Sequence, residues 1–121
     1  MALVLCTGAN PEAMLARREF LQKAGHRVVT AMNEKELSDA CQKYQFEVVV
    51  IGQTLSKSMK QHIVDLIRHH CPDSKVLELY PITTGRAIED ADSWIESPAD
   101  EPQEDVPEGL AERVAELAKA S

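Results

Sequence analysis

Two stretches of the chain carry residue types that could bind a nucleotide or a metal ion. Thr7-Gly8-Ala9-Asn10 follows a short apolar run and precedes a helix start, which is where dinucleotide-binding proteins hold a pyrophosphate. The full G-x-G-x-x-G spacing is absent, however, and Pro11 stands where a glycine would be needed. His69-His70-Cys71 could supply metal ligands, but consecutive helical residues point about 100° apart and seldom share one ion. We therefore expect no metal and no cofactor, with a small ligand or nucleotide at residues 8–10 as an alternative.

The three cysteines offer little redox chemistry. Cys6, Cys41 and Cys71 are odd in number and far apart, which is not the pattern of a disulfide framework. No C-x-x-C motif exists. Cys6 falls in a strand pattern and Cys41 on the apolar side of a helix, where a free cysteine behaves as a small hydrophobe. We expect buried structural thiols.

Short apolar runs alternate with amphipathic segments along the chain. The runs predict strands at 3–6, 27–32, 46–51, 76–80 and 94–95. Asn10, followed by Pro11, and Asn33, followed by Glu36, predict two helix starts, with Ser56 or Ser58 as the cap of a third. A last helix is predicted after Pro107. The helix faces predicted to point inward are Ala13, Ala16, Phe20 and Ala24 in the first, Leu37, Ala40, Cys41 and Tyr44 in the second, Met59, Ile63, Leu66, Ile67 and His70 in the third, and Leu110, Val114, Leu117 and Ala118 in the last.

This alternation predicts a parallel sheet with helices on both faces. The segment from Pro81 to Asp92 is poorly patterned and long enough for one or two helical turns only. A chain of 121 residues with 44% hydrophobic residues fits one folded domain, 1–121, with an acidic loop at 99–106 before the last helix.

No apolar run reaches the roughly 18 residues of a membrane span, and the start lacks the pattern of a signal peptide. Aromatic residues make up only 4%, which argues against base stacking on nucleic acid. We expect a cytoplasmic protein that binds neither membrane nor nucleic acid.

Four segments resemble the receiver domain of bacterial two-component response regulators. In chain order they are Gly25-His26-Arg27-Val28-Val29, Phe46-Glu47-Val48-Val49-Val50-Ile51, Cys71-Pro72-Asp73-Ser74-Lys75-Val76 and Ala91-Asp92-Ser93-Trp94-Ile95-Glu96-Ser97-Pro98. The resemblance covers nearly the whole chain. It implies an α/β flavodoxin-like fold: a three-layer, doubly wound sandwich with a five-stranded parallel sheet in order 2-1-3-4-5. The fourth helix is expected to be shortened, because the span from Tyr80 to Ser97 is shorter than in the family.

The same resemblance places the family's phosphorylation pocket on residues that cannot perform its chemistry. Receiver domains hold Mg²⁺ with acidic residues after the first strand and phosphorylate an Asp ending the third, assisted by a Lys and a Thr or Ser. The matching positions here are Gly8 and Ala9 or Asn10 for the acidic pair, Gly52 with neighbouring Gln53 for the acceptor, Tyr80 or Thr83 for the Thr/Ser, and Ser97 for the Lys. Gly8 and Ala9 supply no carboxylate, Gly52 supplies no nucleophile and Ser97 supplies no cation. The resemblance therefore implies a degenerate pseudo-receiver that is not phosphorylated there and is not an enzyme.

The acidic excess lies in one part of the chain. Residues 76–121 carry 12 acidic and 3 basic groups, a net charge of −9, whereas residues 1–75 carry a net charge of +2. Such a surface repels phosphate backbones and attracts basic partners, although charge runs also serve solubility. We expect Arg86 to pair with a local acid such as Glu89 or Asp90.

Receiver domains commonly bind partners or dimerise through the face formed by their fourth helix, fifth strand and fifth helix. The resemblance places on this face Trp94, Glu96, Asp100, Glu101, Glu108, Glu112 and Glu116. We expect a stand-alone module that contacts a basic protein, or a second copy of itself, through these residues. Phosphorylation at a non-aligned residue is an alternative.

Overall fold

The structure, a computed structural model, describes residues 2–97 and 109–119. Its elements in chain order are β1 (Leu3–Thr7), α1 (Pro11–Lys23), β2 (Arg27–Ala31), α2 (Glu34–Lys43), β3 (Val48–Ile51), α3 (Lys57–His70), β4 (Lys75–Tyr80), β5 (Ser93–Glu96) and α4 (Leu110–Lys119). Neighbouring strands are all parallel, and the sheet has the order β2-β1-β3-β4-β5. This confirms the predicted α/β fold and strand order. No helix of the described residues is long and apolar enough to cross a bilayer.

Strand β3 lies at the centre of the sheet and is buried on both sides. Its four residues are fully buried, and they alternate between the two layers of helices. Val48 and Val50 belong to the cluster beneath α1 and α4, while Val49 and Ile51 belong to the cluster beneath α2 and α3. This two-sided burial explains why the strand is an unbroken apolar run rather than an alternating pattern.

Three capped helices begin at the carboxyl edge of the sheet. The side chains of Asn10, Asn33 and Ser56 each accept a hydrogen bond from the backbone N–H three residues later. Pro11 occupies the first turn of α1, as predicted. Glu36 accepts from the amide of Met32 rather than from that of Asn33, so the second cap is a variant of the predicted capping box. These caps fix where each helix starts above the strand ends.

The predicted inner face of α1 is correct at Ala13 and wrong at Phe20 and Ala24. Phe20 is 40% exposed and Ala24 is exposed, whereas the structure buries Ala13, Met14, Arg17 and Leu21. Met14 and Leu21 remove more apolar area from water than alanines do, so their side of the helix faces the sheet. A similar shift occurs in α3, where Met59 is 47% exposed and Lys60 is buried beside Ile63.

Residues 81–92 connect β4 to β5 without a helix. They form turns around 82–84 and 89–90. The helix that was expected to be shortened between the fourth and fifth strands is therefore absent from residues 81–92. Because residues 81–92 lack the hydrogen bonds of a helix, their path depends on specific hydrogen bonds to neighbouring elements.

Cys41 and Cys71 form a disulfide, which corrects the expectation of free thiols. The two residues are 30 apart in sequence, but α2 and α3 lie side by side on one face and bring their Cα atoms to 5.9 Å. The large separation of the two cysteines in sequence therefore did not indicate how close they lie in the folded chain. A bridge closing a loop of this size stabilises the folded chain by about 3–4 kcal/mol in the chain-entropy account. Cys6 is a free, buried thiol, as predicted.

Candidate functional site

The ends of β1 and β3 meet at the carboxyl edge of the sheet, as predicted for Gly8 and Gly52. The amide of Gly52 donates to the carbonyl of Thr7 at 2.8 Å. A Cβ atom placed on Gly52 would lie 3.2 Å from that same carbonyl and 3.4 Å from the Cα atom of Gly8. The two backbones therefore approach so closely that any larger residue at position 52 displaces one of them.

The space beside these glycines is filled by Arg17. Its Nη1 atom lies 3.0 Å from the Cβ position of Gly52 and 3.7 Å from that of Gly8. Helical side chains point back toward the helix N-terminus, so Arg17, nearly two turns into α1, reaches the carboxyl edge. Only 3% of Arg17 is exposed. A buried guanidinium thus stands where the resemblance would place carboxylates and a metal ion.

This guanidinium has little compensation for its lost hydration. Nη2 donates to Oε1 of Gln53 at 3.2 Å, and Nε has no hydrogen-bond partner among residues 2–97 and 109–119. Burial lowers the pKa of Arg17, opposed by the neighbouring Cys6 thiol. Burial also raises the pKa of Cys6 to about 12, against the lowering effect of Arg17, so that thiol is neutral at pH 7. Arg17 is therefore a cation whose partners in the described residues are neutral.

The remaining predicted pocket residues lie around this centre without adding charge to it. Ala9 is exposed, and Asn10 caps α1. On the far side the carbonyl of Tyr80 accepts from the amide of Ser97 at 2.8 Å, and Ser97 is 3% exposed. Thr83 is exposed in the turn after β4. Within residues 2–97 and 109–119, no group of three or more His, Cys, Asp or Glu side chains is placed to hold a metal ion.

A second buried charge, which the sequence analysis missed, lies on the α3 side of the sheet. Nζ of Lys60 donates to Oε2 of Glu78 at 2.8 Å and to the carbonyl of Leu79 at 2.9 Å. The side chains of Lys60 and Glu78 are 2% and 0% exposed. The carboxylate also accepts from the amides of Ala87 and Ile88 at 2.9–3.1 Å. This pair ties the helix-free segment to β4 and α3, with hydrogen bonds that offset the cost of burying both charges.

Each missed charge interrupts an apolar pattern in the sequence. Lys60 lies three and seven residues before Ile63 and Ile67, and Glu78 stands between Leu77 and Leu79. Opposite charges embedded in two buried stripes are a sign of an internal ion pair. For Arg17, the signal was the seven-residue spacing of Met14 and Leu21, which selects the helix face on which Arg17 lies.

Trp94, predicted for partner contact, is half-buried on β5. Its Nε1 donates to the carbonyl of Ile88 at 2.8 Å, and the Arg86 guanidinium lies 4.4 Å from its ring centroid. The expectation that Arg86 pairs with Glu89 or Asp90 is wrong. Asp90 pairs with Arg68 at 3.3 Å, while Arg86 gains a cation–π contact with the indole.

The acidic residues predicted for the same face divide between described and undescribed parts of the chain. Glu96, Glu112 and Glu116 are exposed. Arg113 bonds to the carbonyl of Trp94 at 3.1 Å and pairs with Glu116 at 3.7 Å, which joins α4 to β5. Asp100, Glu101, Glu108 and the predicted acidic loop 99–106 lie outside the described residues. The described part thus brings Trp94, Glu96, Glu112 and Glu116 to neighbouring elements.

Several solved structures share this fold along nearly the whole chain. TrrA of Thermotoga maritima, in complex with Mg²⁺–BeF, is 20% identical with a TM-score of 0.74, over 97% of this chain and 99% of that one. CheY4 of Vibrio cholerae, a chemotaxis response regulator, is 20% identical with a TM-score of 0.72, over 97% and 98%. An adenylate cyclase of Rhodopirellula baltica is 14% identical with a TM-score of 0.76, over 98% and 87%. These neighbours confirm that the fold is that of response-regulator receiver domains. No family model and no curated protein matches the sequence.

Replacing Arg17 tests whether its buried charge has a structural cost. We expect Arg17→Met to leave the free energy of unfolding unchanged or to raise it by about 1–2 kcal/mol, because it fills similar space without a charge to desolvate. Arg17→Ala should lower it by about 2–4 kcal/mol, because it leaves a cavity. Urea denaturation measures both. Equal losses in the two variants would contradict an uncompensated charge.

The Cys6 thiol predicts how stability depends on alkaline pH. Its folded pKa of about 12 lies above the ordinary thiol value of 9.0, so its contribution to stability is complete below pH 9 and is lost as pH rises toward 12. Between pH 8 and pH 10 it should remove about 1.4 kcal/mol of the free energy of unfolding. Denaturation of wild type and Cys6→Ala at both pH values isolates this term. If the free energy of unfolding changed equally with pH in the two proteins, Cys6 would ionise as readily in the folded chain as in the unfolded chain.

Proposed function

We propose that this chain is a receiver-like signalling module that acts through protein–protein contact, accepts no phosphoryl group in its crevice and catalyses no reaction. The observation that carries the proposal is the Arg17 guanidinium buried against Gly8 and Gly52. Three features support it: Gly52 supplies no nucleophile, Gly8 and Ala9 supply no metal ligand, and the buried Arg17 side chain is positively charged.

The resident charge opposes the metal ion on which receiver phosphorylation depends. TrrA, with the same fold, is known in complex with Mg²⁺–BeF. Two unit charges of like sign about 4 Å apart repel by about 4 kcal/mol at an effective dielectric constant of about 20, and a divalent ion doubles that cost. Gly8 and Gly52 offer no oxygen side chain to offset it, and a Cβ at Gly52 would collide with backbone. A phosphoryl group in this crevice would lack acceptor and metal together.

The segment after β4 supports a module with one fixed conformation. Glu78 holds the amides of Ala87 and Ile88, and Lys60 joins the same carboxylate to α3. Trp94 adds a hydrogen bond to the carbonyl of Ile88. Breaking one partner of a buried charge pair costs about 3–5 kcal/mol, so this segment resists rearrangement.

Protein contact is supported by the acidic residues of β5 and α4. TrrA has also been solved in complex with the histidine kinase ThkA, so one protein of this fold binds a protein partner. Glu96, Glu112 and Glu116 are exposed here, within a region of net charge −9. The proposed partner is therefore basic. A homodimer through the same face is the second candidate, and it would have to overcome repulsion between acids.

The alternatives of a non-aligned phosphorylation site and a ligand at residues 8–10 have less support. A side chain at Gly8 would already meet Met14 Sδ at 3.2 Å. The inner side of the strand–helix turn is therefore occupied by side chains of α1. A ligand could reach Gly8 and Ala9 only from the side of α2 and α3, where they line a cavity of about 350 Å³ with Leu37 and Met59.

Incubation with acetyl phosphate and Mg²⁺ tests the absence of phosphorylation. We expect no phosphoryl adduct by intact mass spectrometry, because neither acceptor nor metal ligands exist in the crevice. Beryllofluoride with Mg²⁺ should leave the fluorescence of Trp94, the sole tryptophan, unchanged. A receiver domain with a complete pocket serves as the positive control. A Mg²⁺-dependent adduct on any residue of this chain would refute the proposal and locate the non-aligned site.

Neutralising the acidic face tests the partner's charge. Glu96→Gln, Glu112→Gln and Glu116→Gln together should reduce capture of basic proteins from a host lysate at least several-fold, because they remove three attractive charges. The matched control is Glu19→Gln, Asp39→Asn and Asp65→Asn, which neutralises three exposed acids on other helices. Sedimentation velocity distinguishes the homodimer, since neutralising the acids should strengthen self-association. Equal capture by both variants would exclude this face.

A further inference from the structure

The Cys41–Cys71 disulfide lies in the wall of a cleft at the opposite edge of the sheet from Gly8 and Gly52. Cys41 belongs to the last turns of α2, and Cys71 caps the end of α3, at the amino edge of the sheet. Both half-cystines line a cleft of about 240 Å³ whose wall also includes Gln45, Glu47, His70 and Asp73. Their residues are only 9% and 8% exposed, so access to the sulfur atoms runs through this cleft.

The structure around the bridge does not depend on the bridge alone. The amide of Cys71 donates to the carbonyl of Ile67 at 2.6 Å, and the amide of Ser74 donates to the carbonyl of Cys71 at 3.0 Å. Ser74 Oγ donates to the carbonyl of Phe46 at 2.7 Å, which fixes the turn to the start of β3. None of these hydrogen bonds involves a sulfur atom, so cleavage of the S–S bond does not itself remove any of them.

The cleft carries negative charge. Glu47 and Asp73 line it, and no lysine or arginine does. The last turn of α3 adds the negative end of its helix dipole at Cys71, next to His70, the sole basic side chain of the wall. A small thiol bearing a positive charge is thus attracted to the sulfur atoms, whereas an anionic thiol is repelled.

We propose that the Cys41–Cys71 disulfide is a reversible thiol-exchange site selective for small cationic thiols. The thiolate of the small thiol attacks Sγ of Cys71, a new S–S bond forms there, and Cys41 leaves as a thiolate that takes a proton from water. A second thiol molecule attacks the mixed disulfide and releases Cys71 as a thiol. In total the protein gains two electrons and two protons, and the two small thiols are oxidised to their disulfide.

Exchange rates with three small thiols test the site. Cysteamine, 2-mercaptoethanol and 2-mercaptoethanesulfonate carry positive, no and negative charge. Their rates with the folded protein are measured by mass spectrometry at low ionic strength and divided by their rates with a neutral model disulfide at equal thiolate concentration. We expect cysteamine to exceed the sulfonate by about three- to tenfold. Glu47→Gln with Asp73→Asn should reduce this ratio toward one, whereas Glu12→Gln with Glu19→Gln, on the other face of the sheet, should preserve it.

Three outcomes would overturn the proposal. The first is a normalised ratio of one in the wild type. The second is an exchange rate independent of thiol concentration, which would mean that global unfolding limits access. The third is the alkylation of all three cysteines in protein that has been denatured but not reduced. With the Cys41–Cys71 bridge intact, Cys6 alone should be alkylated under these conditions. Cys6 is fully buried with a pKa raised to about 12, so it does not contribute to exchange in the folded state.

Discussion

The contact between the Arg17 guanidinium and the paired glycines at the ends of β1 and β3 governs the carboxyl edge of this domain. Nη1 lies 3.0 Å from where a Cβ of residue 52 would stand, so a side chain at position 52 would have to shift the guanidinium and the Thr7 carbonyl. The Cβ position of Gly8 is 3.7 Å from Nη1, an ordinary contact distance, so the constraint there is weaker. Arginine and glycines thus depend on one another, and together they close a crevice that the receiver fold usually leaves open to ligands.

The two faces of the sheet treat buried charge differently. On the α3 face, Lys60 and Glu78 satisfy one another, and spare carboxylate capacity binds the amides of Ala87 and Ile88. On the α1 face, Arg17 has a neutral amide as its partner and one unbonded nitrogen. The first arrangement specifies a structure, since the segment between β4 and β5 has no helix to define its path. The second fills the space beside Gly8 and Gly52 but organises no comparable set of backbone hydrogen bonds.

The architecture was predictable because it follows from local rules. Strand alternation, the caps at Asn10, Asn33 and Ser56, and an all-apolar central strand gave the elements, and the resemblance gave the strand order, which the structure confirms. The emptiness of the pocket at Gly8 and Gly52 was also visible in the residues. What filled it was not, because choosing the face of α1 required weighing Met14 and Leu21 against several alanines. The Cys41–Cys71 bridge escaped for a different reason, since pairing across α2 and α3 is a tertiary distance that sequence spacing does not encode.

The acidic residues have two different structural roles in the folded chain. Glu78 is an internal carboxylate that organises backbone, whereas Glu96, Glu112 and Glu116 remain in solvent, where isolated charges contribute little to stability. Because these exposed carboxylates contribute little to stability, the requirements of folding do not explain why acidic residues are concentrated around β5 and α4. Arg86 lies over the Trp94 ring, so it does not neutralise these carboxylates, of which Glu116 alone forms an ion pair, with Arg113, among the described residues. The region between β4 and α4 therefore presents a cation–π pair, Arg86 with Trp94, near exposed acidic side chains.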